Sequence, residues 1–226
     1  MADIAVIDYG MGNLRSVAKA IGHVAPQLDV AVTGDPAIVA RAARVVFPGQ
    51  GAMPDCMREM QARGLREAVV TAAREKPFLG ICIGLQMLFE RSEEGDTAGL
   101  GLLPGRVRRF PAAAMVDGQG AKLKVPHMGW NEVHQAAAHP LWEGIASGER
   151  FYFVHSFYVE PANPQLTAGY SRYPFSFTCT VASNNVFAVQ FHPEKSHTAG
   201  LRLLANFAAW QPARRRVPGR SPSQVL

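Results

Sequence analysis

A cysteine stands between two glycines at residues 80–84, Gly-Ile-Cys-Ile-Gly. It follows an apolar run and precedes a helix-like segment, which is the arrangement of a nucleophile elbow with sulfur in place of oxygen. The glycines are needed because side chains two residues on either side of Cys82 would collide in so sharp a turn. Amides at the start of the next helix favour the thiolate, and that of Ile83 points to where an oxyanion forms. The motif alone also fits a small buried core cysteine.

A base for this thiolate stands at residues 192–194, His-Pro-Glu, directly after a strand-like run. His192 and Glu194 are two residues apart in an extended segment, so both side chains project to the same side. A carboxylate beside an imidazole fixes its tautomer and stabilises the imidazolium. The pattern predicts a triad of Cys82, His192 and Glu194. A surface turn with an ordinary His-Glu pair is the alternative for this motif alone.

Two further features are candidates for substrate contacts. Residues 48–51, Pro-Gly-Gln-Gly, end a predicted strand, and their backbone amides can face an anionic intermediate because glycine permits unusual φ values. An ordinary glycine turn is the alternative. Gln86 lies one helical turn after Cys82, where its carboxamide can hydrogen-bond a polar substrate. A solvated helix residue is the alternative for Gln86.

Two cofactor motifs are incomplete. Gly10 and Gly12 follow the first strand, but Arg15 occupies the third glycine position of a dinucleotide-binding fingerprint. His192, Glu194 and His197 lack the further ligand in good geometry that a metal site needs. We therefore expect neither a cofactor nor a metal.

The elements that must position these residues alternate between strand and helix in the first half of the chain. Short apolar runs predict four strands, at residues 4–7, 28–32, 45–47 and 78–81. Helical spacing recurs after the first run and between residues 53 and 74. We also expect a helix after Cys82 that has Leu85, Leu88 and Phe89 on one face and ends near residues 90–94.

The second half of the chain has a different residue pattern. Residues 102–189 contain short segments rich in Val, Phe and Tyr, which predicts a β-rich region. A last helix is predicted at about 198–210. We expect one domain over residues 1–210, followed by a disordered basic tail at 211–226, where Pro, Arg and Ser dominate.

Composition sets the remaining limits. The 226 residues are 48% hydrophobic and 18% charged, which is ordinary for a globular domain and excludes disorder of the whole chain. No apolar run approaches the roughly 20 residues of a membrane span, and the start lacks a signal peptide, so we expect a cytoplasmic protein. Three cysteines without a Cys-x-x-Cys pair argue against a disulfide framework. Most of the +5 net charge lies in the tail, which disfavours a nucleic-acid partner.

The motifs in combination resemble one enzyme family. Residues 80–86 (GICIGLQ), 191–196 (FHPEKS) and 48–53 (PGQGAM) resemble the triad class, class I, of glutamine amidotransferases. Three further motifs narrow the resemblance to the glutaminase subunits of imidazole glycerol phosphate synthase, an enzyme of histidine biosynthesis. These are residues 8–13 (DYGMGN), 128–131 (MGWN) and 152–156 (YFVHS). The resemblance spans residues 3–210.

This resemblance implies a flavodoxin-like α/β fold, an open mixed sheet with flanking helices, and a triad of Cys82, His192 and Glu194. It implies that glutamine is hydrolysed and that ammonia passes to a separate cyclase, which is a (β/α)₈ barrel and forms a heterodimer with this chain. Partner contacts would fall near Asn13 and Lys195. Glutamine and oxyanion contacts would fall on Gly49, Gln50, Gly51, Ile83, Gln86, Glu94, Ser156 and Phe157. The chain departs from the family at Gln50, where Val is usual, and at Phe157, where Tyr is usual.

A (β/α)₈ barrel takes ~250 residues, so the synthase half must be supplied by another chain.

Three rival functions fit the same residues. A triad amidotransferase that serves a different acceptor is one rival. A cysteine hydrolase of esters or peptides is another, disfavoured because Gln86 and the two glycine-bearing loops suit an amino-acid substrate. A binding module with a degenerate site is disfavoured because all three triad residues are present.

Overall fold

The structure is a computed structural model that describes residues 2–212. The predicted tail lies outside the described residues beyond its first two positions. The strands are β1 (Ile4–Ile7), β2 (Val30–Thr33), β3 (Arg44–Gly49), β4 (Phe78–Cys82), β5 (Phe89–Ser92), β6 (Thr97–Ala98), β7 (Leu103–Arg109), β8 (His127–Gln135), β9 (Glu149–His155), β10 (Phe157–Pro161), β11 (Thr167–Arg172), β12 (Ser176–Ser183) and β13 (Val186–Val189). The helices are α1 (Leu14–Val24), α2 (Pro36–Arg41), α3 (Met53–Ala62), α4 (Arg66–Glu75), α5 (Ile83–Gln86) and α6 (His197–Ala209).

Five parallel strands, in the order β2-β1-β3-β4-β13, carry the candidate site. The apolar runs at β1, β3, β4 and β13 are buried almost throughout, because helices or loops cover both faces of a parallel sheet. Gly49 of β3 pairs with Cys82 of β4, and Val189 of β13 pairs with Ile81. The carboxyl ends of β3, β4 and β13 therefore meet at one edge, where open α/β sheets bind their ligands.

The second half of the chain extends this sheet with mainly antiparallel strands. β12 joins β13, and β10, β7, β5 and β6 follow in that order. β11 leaves this path to pair with β12 and β8, and β8 pairs with β9 along seven residues. The predicted α/β fold with an open mixed sheet and a β-rich second half is confirmed.

The helices bury one face each against the sheet or against one another. α1 buries Val17 and Ile21 and packs on α6, and α2 packs on α4. α6 begins one residue before the prediction and buries Leu203, Leu204 and Phe207. Within residues 2–212, no helix combines the length and the apolar character needed to cross a membrane.

The helix predicted after Cys82 is wrong in its extent. α5 is a single turn, and Phe89 already begins strand β5, which pairs in parallel with β7. Leu85, Met87, Leu88 and Phe89 are all fully buried, so they share no single apolar face. The carbonyls of Met87 and Leu88 accept hydrogen bonds from the backbone at residues 100–103 in place of a following helical turn. A pairing with a later segment thus overrides the local helical pattern.

Candidate active site

Cys82 occupies a strained turn at the end of β4. Its φ of 57° and ψ of −113° lie where residues with a side chain are rarely found. The flanking glycines permit the turn: a Cβ on Gly84 would lie 1.8 Å from the Phe47 carbonyl oxygen, and one on Gly80 would lie 2.8 Å from Ala188 Cβ. The amide of Ile83 opens α5 and has no intrahelical acceptor. The local geometry is that of a nucleophile elbow.

His192 and Glu194 follow β13, the strand beside β4. His192 Nδ1 and Glu194 Oε1 are 2.9 Å apart, and both side chains are at most 5% exposed. The backbone of His192 is held at both ends, since its N–H donates to the Tyr152 carbonyl and its carbonyl accepts from the Ser196 hydroxyl at 2.6 Å. His192 Nε2 is buried and has no hydrogen bond among the described residues. The imidazole ring is therefore fixed with Nδ1 against the carboxylate, and Nε2 is left free to exchange a proton.

The other two cysteines are held as thiols by their burial. Burial raises the pKa of the Cys56 thiol to about 11 and that of Cys179 to about 12, so both stay protonated at neutral pH. Burial lowers the pKa of His192, but the neighbouring Cys82 and Glu194 outweigh it and raise that pKa above its usual value. An imidazole held in its protonated form beside a sulfur stabilises a thiolate.

A cavity of about 290 Å³ opens over Cys82 and His192. Its volume is near the lower end of the range for small-molecule sites, which suits a ligand of amino-acid size. The cavity brings together most of the substrate-contact residues predicted from the sequence: Gln50, Gly51, Ile83, Gln86, Glu94, Ser156 and Phe157. A larger groove of about 630 Å³ between Glu90 and Glu160 has no cysteine or histidine in its lining.

Two predicted residues lie outside the cavity lining. Gly49 is buried beneath it, where a Cβ would lie 2.4 Å from the Tyr9 hydroxyl, and Glu194 stands behind His192. Within the lining, Glu94 Oε2 accepts a hydrogen bond of 2.8 Å from the Met53 amide at the start of α3. This position suits an acidic side chain because the helix N-terminus carries a partial positive charge.

Two polar residues of the site were missed by the sequence reasoning. Gln190 is fully buried, and its Nε2 lies 3.7 Å from Cys82 Sγ. His155 lines the cavity, and its Nδ1 donates to the Phe157 carbonyl at 2.8 Å. In the sequence, Gln190 stands out only as a lone carboxamide within the apolar run at residues 186–191. His155 had only the signal of a histidine in a predicted strand.

Known proteins resemble this chain in sequence and in fold. The profile of the family Glutamine amidotransferase class-I matches residues 5–210. The imidazole glycerol phosphate synthase subunit HisH of Thiobacillus denitrificans is 71% identical over 210 residues, which are 93% of this chain and 92% of that protein. The protein of the same name from Aromatoleum aromaticum is 69% identical over 212 residues, 94% of this chain and 100% of that protein.

Solved structures support the same fold at lower identity. A crystal structure of a glutamine amidotransferase matches with a TM-score of 0.68 and 16% identity, over 92% of this chain and 100% of that chain. A putative GMP synthase protein from Thermoplasma acidophilum matches with a TM-score of 0.65 and 18% identity, over 92% and 93% of the two chains. From its sequence and its fold, the chain belongs to the class-I glutamine amidotransferases, among the HisH glutaminase subunits of imidazole glycerol phosphate synthase.

Proposed function

We propose that Cys82, His192 and Glu194 hydrolyse L-glutamine and that the ammonia passes to a separate (β/α)₈ cyclase subunit. One observation carries the proposal. A cysteine in elbow geometry and a buried His-Glu pair follow adjacent strands, and Cys82 and His192 line the same small cavity. Nucleophile, base and orienting carboxylate are the parts that covalent acyl transfer requires.

The first half of the reaction forms a glutamyl thioester. His192 takes the proton of the Cys82 thiol, and the thiolate attacks the side-chain carbonyl carbon of glutamine. The oxyanion accepts hydrogen bonds from the Ile83 amide and from an amide of Gln50 or Gly51. His192 then returns its proton to the nitrogen as the carbon–nitrogen bond breaks, and ammonia leaves.

The second half releases glutamate. Water enters the cavity, gives a proton to His192 and attacks the thioester carbonyl. The carbon–sulfur bond breaks, and the sulfur leaves as the thiolate paired with protonated His192. Glu194 supports the charge on the imidazole through its contact with Nδ1.

The cavity lining supports glutamine as the substrate. Gln86 Oε1 is buried without a hydrogen-bond partner among the described residues, so it is available to accept an N–H of the ligand. The carboxylate of Glu94 is a second acceptor on the lining. A ligand that brings N–H donors, such as the ammonium and carboxamide groups of glutamine, satisfies groups that are otherwise costly to bury.

The partner belongs to the same proposal. The described surface exposes two large apolar residues of β8, Met128 at 62% and Trp130 at 40%. They lie one and three residues along the strand whose first residue, His127, contacts cavity-lining His155. A cyclase that covers this surface would be close to the place where ammonia forms. A cytoplasmic location is also proposed, and three unpaired buried cysteines fit a reducing compartment.

Replacing the nucleophile tests the assignment. In the full-length chain with its cyclase partner, Cys82→Ala is expected to abolish glutamine-dependent turnover, a loss of about 10³-fold or more. Synthesis from added ammonia should persist because only the ammonia source is removed. Cys179→Ala is the matched control and should keep its glutaminase activity. Normal glutamine turnover in Cys82→Ala would overturn the proposal.

A further inference from the structure

Gln190 is a buried carboxamide beside the reacting sulfur. It lies directly after β13, is fully buried, and its backbone N–H is used by the Cys179 carbonyl. A buried carboxamide has two N–H donors and one oxygen acceptor that need partners. Its Nε2 is 3.7 Å from Cys82 Sγ, a distance suited to the large radius of sulfur. One N–H of the Gln190 carboxamide therefore donates to the sulfur of the nucleophile.

A second glutamine fixes which end of Gln190 faces the sulfur. Gln86 Nε2 donates to Gln190 Oε1 at 3.0 Å and lies 3.4 Å from the Phe157 carbonyl oxygen. If Gln190 were turned over, two amide nitrogens would face each other and its oxygen would face the sulfur. The contact between the two nitrogens would be unfavourable, and so would the contact of the oxygen with a thiolate. The hydrogen-bond pattern admits one orientation, in which an N–H points at Cys82.

The Phe157 carbonyl that receives Gln86 is itself anchored. His155 Nδ1 lies 2.8 Å from this oxygen, and His155 Nε2 lies 2.9 Å from His127 Nδ1. Asn131 Nδ2 lies 3.2 Å from His127 Nε2 and 2.9 Å from the Arg172 carbonyl oxygen. With both rings neutral, each ring donates from Nδ1 and accepts at Nε2, so all the bonds run in one direction. This series of hydrogen bonds fixes the Phe157 carbonyl that Gln86 contacts.

We propose that Gln190 is a further catalytic residue, whose carboxamide N–H donates to the Cys82 thiolate, and that Gln86 is the positioning residue that aims it. The inference rests on the proposed function of Cys82. The sulfur is a thiolate before the attack and again when the thioester breaks. A fixed donor therefore favours both states and orients the sulfur, because a hydrogen bond to an ionised group is stronger than one to a neutral group.

The other titratable groups around Cys82 do not take over this role. Burial raises the pKa of Tyr9 and of Cys56, so both stay neutral, and the Tyr9 hydroxyl donates to the Pro48 carbonyl. His192 is a charged partner of Cys82, because the adjacent sulfur is among the groups that raise the pKa of His192. Gln190 supplies the uncharged donor.

Alkylation of the full-length chain by iodoacetamide tests the proposal, because the rate follows the thiolate fraction of Cys82. Gln190→Met keeps the volume and removes the donor. The pH midpoint of alkylation is expected to rise by about one unit, which is a tenfold smaller thiolate fraction below the midpoint. Glutaminase kcat is expected to fall about tenfold or more, with KM changed less than about threefold. Gln135→Met is the matched control, because that amide bonds the Ile145 carbonyl away from the cavity.

A second variant keeps the test decisive if Gln190→Met folds poorly. Gln190→Glu retains the shape and an acceptor for Gln86, but it places a carboxylate oxygen by the sulfur, so its alkylation midpoint should rise further. Midpoints within about 0.3 units of the unsubstituted chain in a folded variant would overturn the role of Gln190. Alkylation that maps to a cysteine other than Cys82 would instead overturn the proposed function, so the two failures are distinguishable.

Discussion

The contact between His192 and Glu194 yields a prediction that separates catalysis from stability. Glu194→Gln keeps the size of the side chain and an oxygen that can accept from His192 Nδ1, but it removes the negative charge. The contact is 2.9 Å long and both side chains are nearly fully buried, so solvent does not screen it. A hydrogen bond to a charged group contributes about 1.5–3 kcal/mol, against about 1 kcal/mol for a neutral one.

This difference sets the expected size of the effect. Losing about 0.5–2 kcal/mol of support for protonated His192 lowers kcat/KM about 2- to 30-fold, at 1.36 kcal/mol per factor of ten. The sign of the pH effect follows from the raised pKa of His192, to which Glu194 contributes. Without that charge, His192 loses its proton at lower pH, so the alkaline limb of the kcat/KM profile moves to lower pH. Steady-state glutaminase assays from pH 6 to 10 measure both quantities.

The chain offers a matched control for this variant. Glu132 and His134 also form a pair two residues apart on a strand, with atoms 3.5 Å apart, but both side chains are partly exposed. Glu132→Gln should leave kcat/KM within about twofold because exposed pairs contribute little. Both variants should unfold within a few degrees of the parent, since neither leaves an unpaired buried charge. A Glu194→Gln enzyme with unchanged kcat/KM and an unchanged alkaline limb would refute the role of Glu194.

Two further predictions concern stability. Gly84→Ala should lower the free energy of unfolding by about 3 kcal/mol or more in chemical denaturation, because its Cβ would lie 1.8 Å from the Phe47 carbonyl oxygen. The control Gly22→Ala, in open space on α1, should be neutral or stabilising, and equal effects of the two would contradict this account. Burial lowers the pKa of His155 to about 3, so the unfolded chain binds the extra proton first and stability falls as the pH drops below about 6.5. His155→Gln should reduce this dependence between pH 4 and 6 by up to about 1.4 kcal/mol per pH unit, and an unchanged slope in urea unfolding would show that the residue titrates normally.

The parallel strands were predictable from sequence because their signal is local. The runs at residues 45–47 and 78–81 are apolar throughout, which is typical of strands covered on both faces, and each is closed by a glycine-bearing turn. The carboxyl ends of neighbouring parallel strands share an edge, so the elbow, the glycine loop and the His-Pro-Glu segment could be expected to meet.

The parts that escaped prediction depend on contacts between distant segments. Gln190 and Cys82 are 108 residues apart, and no local periodicity reports their hydrogen bond. The short α5 has the same cause, since residues after Gln86 pair with β7 and abandon the helical spacing that their composition suggests. Polar groups buried at a strand end leave only a weak trace in sequence, namely a hydrophilic residue in an apolar run.

The site concentrates features that would each destabilise an ordinary core. Cys82 holds a backbone conformation that costs of order 1–3 kcal/mol, and the buried Gln86 Oε1 and His192 Nε2 lack partners among the described residues. Cys56 and Cys179 show what burial alone does, because it raises their pKa values and leaves them as thiols. The rigid edge of β3, β4 and β13 can hold such features because its strands are paired on both sides. Groups that are left unsatisfied in this way are those that a substrate can satisfy, so the same strain that weakens the fold favours binding and attack.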